Sequence, residues 1–272
     1  MEIGVVLGYN ESLENYLKWC SENGINSCQL GVHSDILNSE TADAIKGLIQ
    51  KHNFHISALV GGWSGPKEWN FTGGPATLGI VPQAYRAVRI KELEDCARFA
   101  QMLGVTDVCT HMGFIPENPN DPLYNDFITA LRYLAEYYKR YGININMETG
   151  QETPVTLLRV IHDVKADNLG INFDPANLLM YGKANPIDAL SIIGKYVRGV
   201  HAKDGEYPTD GIRLGVEKPL GEGSVNIELF IQGLHASGYR GAVTIEREIS
   251  GEQQRKDVLA AKELLVSLIN AL

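Results

Sequence analysis

Short runs rich in β-branched residues alternate with helical patterns along the whole chain, and eight such pairs can be counted. The extended runs fall at 3–8, 26–31, 54–60, 105–111, 143–148, 169–174, 197–201 and 242–246. Between and after them, helical spacing predicts helices at 12–23, 41–52, 84–103, 124–140, 154–165, 186–194, 226–237 and 252–270. In the first of these, Leu13, Tyr16, Leu17 and Cys20 share one face, and Ser12 suits an N-cap. A helix between successive strands demands parallel pairing. Eight βα units without a composition break predict an α/β fold, a (β/α)8 TIM barrel spanning 1–272 as a single domain. An open doubly wound sheet is the competitor. It would usually carry a glycine-rich fingerprint after its first strand, where this chain has "LGYNES".

The charge balance narrows the partners. With 33 acidic against 24 basic residues the net charge is −9, and no run of Lys and Arg offers a phosphate backbone a surface, so nucleic acid is not expected. Cys20, Cys28, Cys96 and Cys109 form no C-x-x-C pair and read as buried apolar residues in a reducing compartment. Neither a signal peptide nor a membrane span is expected, which points to a cytoplasmic protein with no membrane partner.

The ends of the later strands carry the chemistry. Strand four ends in His111, strand five in Glu148, strand six in Asp174, strand seven in His201 and strand eight in Glu246. In a parallel barrel these ends share one face, where active sites are built. Three carboxylates there would repel one another and force a proton onto one of them unless a cation intervened. Glu148, Asp174, His201 and Glu246 form a three-oxygen, one-nitrogen set suited to one divalent ion, Mn2+ first, with Mg2+, Co2+ or Zn2+ as alternatives. Taken singly, each has an ordinary explanation: a helix cap, a solvated loop residue or a hydrogen-bonded core histidine. His111 is either a substrate contact or structural.

The segments "INMETGQET", "INFDPANLLMYG", "RGVHAKDG", "KPLGEGSVN" and "VTIERE" together resemble the xylose isomerase-like TIM barrels, in the branch of sugar (phosphate) isomerases and epimerases that includes ketose 3-epimerases. The resemblance implies one divalent metal on Glu148, Asp174, His201 and Glu246, with Glu148 and Glu246 also serving as the catalytic acid and base. It implies proton transfer through a cis-enediolate of a small-molecule sugar or sugar phosphate, most simply 3-epimerisation of a ketose. It also implies homodimers or homotetramers. An inosose dehydratase-like lyase uses a similar site and is the alternative. Two others are an apurinic endonuclease and a non-catalytic sugar-binding barrel. The endonucleases need a D-x-x-H where this chain has "DPAN", and a D-x-H that "AKDGEYPTD" lacks.

Further positions are candidates for substrate binding. Asn177 stands where epimerases of free ketoses commonly carry a histidine. Gln151 and Glu152 either touch the sugar or cap the next helix ahead of Pro154. Lys203 and Asp204 contact a hydroxyl, orient His201 or stay solvated. Arg213 and Arg247 bind hydroxyls or a phosphate, or form surface ion pairs. Trp63 and Trp69 form an apolar lid or anchor a packing loop, the packing role suiting Trp69 better. "PLGEG" at 219–223 reads as a turn whose glycines suit positive φ.

Overall fold

The computed structural model describes residues 1–272. Eight parallel strands close into a barrel: β1 (Glu2–Gly8), β2 (Ser27–Val32), β3 (His55–Gly61), β4 (Asp107–Thr110), β5 (Asn144–Glu148), β6 (Leu169–Phe173), β7 (Val197–Ala202) and β8 (Ala242–Ile245). Each pairs with its neighbours in sequence, and β8 closes on β1 with Ile3 opposite Val243. The TIM barrel expected from the alternation is the fold. Eight main helices surround it: α1 (Leu13–Glu22), α2 (Ser39–Lys51), α3 (Gln83–Leu103), α4 (Pro122–Lys139), α5 (Pro154–Val164), α6 (Pro186–Ile193), α7 (Ile227–Ala236) and α8 (Glu252–Asn270).

Local chemistry explains where several helices begin. Asp121, Thr153 and Asn185 each precede a proline, and each side chain accepts a hydrogen bond from the first turn of α4, α5 or α6. Proline costs nothing at the first helical position, where its missing N–H would have no partner anyway. Asp174 does the same for a short helix, Pro175–Met180, that the periodicity did not announce. Four other elements also escape the pattern: 3-10 turns at Ser34–Ile36 and Gly194–Tyr196, a turn of helix at Gly74–Thr77, and a two-stranded antiparallel ladder pairing Asp204–Gly205 with Glu217–Lys218. All are too short to show a period.

Two irregularities matter for function. The β2–β3 register shifts between Cys28 and Gln29, and the β6–β7 register between Ile171 and Asn172. Such shifts re-aim side chains. Here they fall beside two buried amides, Gln29 and Asn172, whose side chains meet inside the barrel with Gln29 Nε2 donating to Asn172 Oδ1 at 2.8 Å. All four cysteines are free and buried, and no helix is long and apolar enough to cross a membrane.

Candidate metal centre

The ends of β5 to β8 bring four of the sequence-predicted residues together. Glu148 is the last residue of β5, His201 lies within β7, and Asp174 and Glu246 directly follow β6 and β8. One ligand atom from each lies within 4.8 Å of all the others. His201 Nδ1 is the hub, at 3.2 Å from Glu148 Oε1, 3.5 Å from Asp174 Oδ2 and 3.3 Å from Glu246 Oε2.

The back of the imidazole fixes its orientation. Nε2 lies 2.9 Å from Gln29 Oε1. Asn172 Nδ2 lies 3.1 Å from the same nitrogen and can only donate to it, so two tautomers compete there. With the proton on Nε2 and donated to Gln29, the Nδ1 lone pair faces the carboxylates, as a ligating histidine requires. Gln29 Oε1 also accepts from the Cys109 thiol at 3.4 Å. Gly199 has a reason to be glycine: a Cβ there would collide with the Asn172 amide.

Asp174 is a helix cap, and its second oxygen stays free for a ligand. Its Oδ1 accepts from the Asn177 backbone N–H at 2.8 Å as a helix cap. Its Oδ2 is fully buried without a hydrogen-bond partner, as is His201 Nδ1. Thr149 holds the Asp174 backbone in place, with its hydroxyl donating to the Asp174 carbonyl and accepting from the Asp174 N–H. Buried polar atoms without partners are costly, and these two face each other among three carboxylates. The donor set therefore fits a divalent cation.

Charge in the cluster is balanced by bases. Burial raises the Glu148 carboxyl, but His111 and His201 outweigh it and bring it down to about 2. Burial likewise works against Glu246, and Lys203 and His201 overcome it to hold that carboxyl well below the usual range. Burial wins at Asp174, which rises to about 6 although Lys203 and His201 oppose it. His201 itself is raised well above its ordinary value because Glu246 and Glu148 outweigh its desolvation. A proton and a metal ion thus compete for Nδ1.

Lys203 is not solvated. Its ammonium is buried 3.0 Å from both Glu246 Oε2 and Glu248 Oε2, and 3.8 Å from Asp174 Oδ2. Asn177 joins the cluster with Nδ2 3.5 Å from Glu148 Oε1 and Oδ1 3.5 Å from Lys203 Nζ. His111 Nε2 lies 3.3 Å from Glu148 Oε1, while its Nδ1 is buried without a partner.

Thr153, not Gln151 or Glu152, caps α5, which removes the capping explanation for both. The side chains of Gln151 and Glu152 are buried without hydrogen bonds, and so is the Tyr181 hydroxyl. Burial pushes the Glu152 carboxyl up to about 8, with His111 and Lys183 only partly opposing it.

Other candidates stand apart. Asp204 is neither solvated nor free for a hydroxyl, because it accepts from the backbone N–H groups of Gly205, Gly221, Gly223 and Val225 and so shapes the "PLGEG" turn. Arg247 pairs with Glu217 and Asp257. Arg213 lies on an exposed loop, paired with Asp210 at 2.9 Å.

The tryptophans reverse the expected order. Trp63 is the packed one, at 4% exposure, and Trp69 the open one, at 45%. Trp63 lies against the guanidinium of Arg89, 4.3 Å from its ring centroid. Arg89 is fully buried and donates to the carbonyls of Ser64, Pro66, Thr77 and Gly79, tying the loop after β3 into one piece. That loop docks on the one after β4, where Ile80 N–H donates to the Met112 carbonyl at 3.0 Å and a Cβ on Gly79 would strike the same peptide. Gln29, Asn172 and Arg89 escaped the sequence reading. Each is nonetheless a polar residue at a position whose periodicity calls for an apolar one, and that was the available signal.

Comparison with known proteins places the barrel in a family. The profile of the xylose isomerase-like TIM barrels matches residues 17–267. A solved xylose isomerase domain protein from Planctomyces limnophilus superposes with a TM-score of 0.92 at 34% identity, covering 98% of this chain and 96% of that one. An uncharacterized protein of Methanocaldococcus jannaschii is 29% identical over 203 residues, 70% of this chain, and the match spans 64% of that protein's length. A 2-oxo-tetronate isomerase of Haemophilus influenzae is 25% identical over 224 residues, covering 78% of this chain and 80% of that one.

Proposed function

The chain belongs to the xylose isomerase-like TIM barrels, and from that membership we propose that it is a divalent-metal-dependent isomerase or epimerase of a sugar or sugar phosphate, with ketose 3-epimerisation as its reaction. The observation that carries the reading is the arrangement of Glu148 and Glu246. Both are ionised carboxylates at the barrel mouth, on β5 and after β8, flanking Asp174 and His201. A relative named as an isomerase of an oxo acid supports the same class.

When bound, the ion supplies Lewis acidity that stabilises the negative charge developing on a substrate carbonyl. One glutamate takes the proton from the carbon beside that carbonyl. The other, after taking a proton from solvent, delivers it to the opposite face of the same carbon, which inverts it, and the first then sheds its proton to solvent. Lys203 holds positive charge against Glu246 and lowers the cost of keeping that carboxylate ionised in a buried site. The partnerless atoms of Gln151, Tyr181, Trp63 and His111 are matched to a ligand rich in hydroxyls.

A lyase is the second reading, and Glu152 is the observation that favours it. Removing a hydroxide after the same deprotonation needs a neutral acid, which a buried carboxyl titrating at about 8 provides at pH 7. The test incubates Mn2+-loaded protein in deuterium oxide with free and phosphorylated pentuloses and hexuloses, and with inosose. Deuterium at C3 accompanied by the C3 epimer supports the epimerase, and deuterium at C1 or C2 an aldose–ketose isomerase. An elimination product from inosose decides for the lyase. Binding without exchange or elimination would sink the enzyme reading.

A further inference from the structure

The ring of helices closes where α8 meets α1, and no two neighbours in the ring pack less closely. At the C-terminal end of α1 the two are tied together, with Lys262 Nζ donating to the Asn23 carbonyl. Further up they part around a cavity of about 240 Å³, lined by Val5 and Leu7 of β1, Tyr16, Trp19 and Cys20 of α1, and Val258 of α8. None of Glu148, Asp174, His201 and Glu246 lines it, so it is separate from the metal centre.

The cavity carries one sign of charge. In a chain of net charge −9 its charged lining residues are Arg247 and Arg255, with no carboxylate among them. Arg247 is already paired, with Glu217 at 3.0 Å and Asp257 at 2.7 Å. Arg255 has no ion pair and no hydrogen bond. Its guanidinium leans from α8 across to α1 and lies 5.4 Å from the ring centroids of both Tyr16 and Trp19. Ring faces fix the position of a guanidinium without satisfying its N–H groups, which stay open at the edge of its plane. The charge is felt inside: burial pushes the Cys20 thiol in the wall up to about 12, and Arg255 opposes that rise. A thiol held protonated is no nucleophile, and neither carboxylate nor imidazole lines the cavity, so a ligand there is held and not transformed.

We propose that this cavity is a binding site, apart from the metal centre, for a small organic carboxylate with an apolar body. The carboxylate pairs with the Arg255 guanidinium, and the body seats against Leu7 and Val258. A carboxylate accepts two parallel N–H bonds from the planar fork of a guanidinium. Val5, Leu7 and Val258 are buried and apolar, and a bare inorganic anion would leave that floor unused. The site stands whether or not the metal centre performs an isomerisation.

The test is calorimetry on the full chain, freed of metal with EDTA and then dialysed so that no carboxylate binds a cation at the barrel mouth. Hexanoate and benzoate are compared with their neutral amides, with acetate and with inorganic phosphate. At least one of the two carboxylates is expected to bind about tenfold or more tighter than its amide, acetate and phosphate. Arg255→Met keeps a side chain over Tyr16 and Trp19 without the fork, and should erase the preference for carboxylate over amide at an unchanged thermal midpoint. Arg255→Lys keeps the charge and should retain part of the preference, which separates loss of the guanidinium from loss of the fold. Hexanoate alone gaining identifies an alkyl body, and benzoate alone an aryl one. No binding, amides binding as tightly as carboxylates, acetate or phosphate doing as well, or a preference that survives Arg255→Met would overturn the site.

Discussion

The two halves of the barrel mouth are built from different materials. The ends of β5 to β8 supply charge: three carboxylates, an imidazole and the Lys203 ammonium. The ends of β3 and β4 supply shape: Trp63, Trp69 and His111, on two docked loops, the first of them held by one buried arginine that binds backbone carbonyls instead of ligands. One side is fitted to generate and hold negative charge, and the other to decide which molecule receives it. The halves touch at the contact between His111 and Glu148.

The largest effect that would break this division comes from Glu246→Gln. Glutamine keeps the shape of the side chain, and Lys203 keeps Asp174 and Glu248 as partners. Isotope exchange should fall by about 10²–10⁴-fold, while the thermal midpoint stays near wild type. Exchange at the wild-type rate would remove Glu246 from the chemistry.

Arg89→Met asks the converse question of the other half. It leaves four loop carbonyls without their donor, and the expected cost is about 3 kcal/mol by urea unfolding, since each orphaned group costs about 1–3 kcal/mol and such terms do not simply add. Mn2+ affinity should stay within about twofold of wild type, because no ligand atom touches Arg89, while sugar affinity weakens. A large loss of metal affinity would show that the halves are one unit.

The same division decides what was legible from sequence. The charged half could be read because each of its strands ends in a titratable residue, and a barrel brings strand ends together whatever separates them in the chain. Asp174 shows the limit of that reading: cap and ligand were set against each other, yet Oδ1 caps the helix while Oδ2 is left free, so the two need not exclude each other. The shaped half depends on a 21-residue loop between β3 and α3, where no period operates. Which tryptophan packs there is decided by Arg89, a residue on α3 that reaches back to the loop. Nor does any motif reveal Gln29 under His201, because the contact spans 172 positions.

Glu152 gives the finest test, because it lies between the halves and belongs by charge to neither. Its carboxyl is neutral in the folded protein below about pH 8. The unfolded chain ionises it near the ordinary value of about 4.3. Between these two values the folded state holds the extra proton at Glu152, so this group's contribution to stability falls as pH rises from about 4.5 to 8 and is level on either side. Glu152→Gln removes that dependence. In protein freed of metal with EDTA, the variant should gain about 3 kcal/mol on wild type at pH 7 and less than about 1 kcal/mol at pH 5, read from urea midpoints at the two values. A gain that is the same at both pH values would mean that Glu152 is ionised in the folded state. The carboxyl would then belong with the charged half, and the acid required for elimination would have to come from elsewhere in the site.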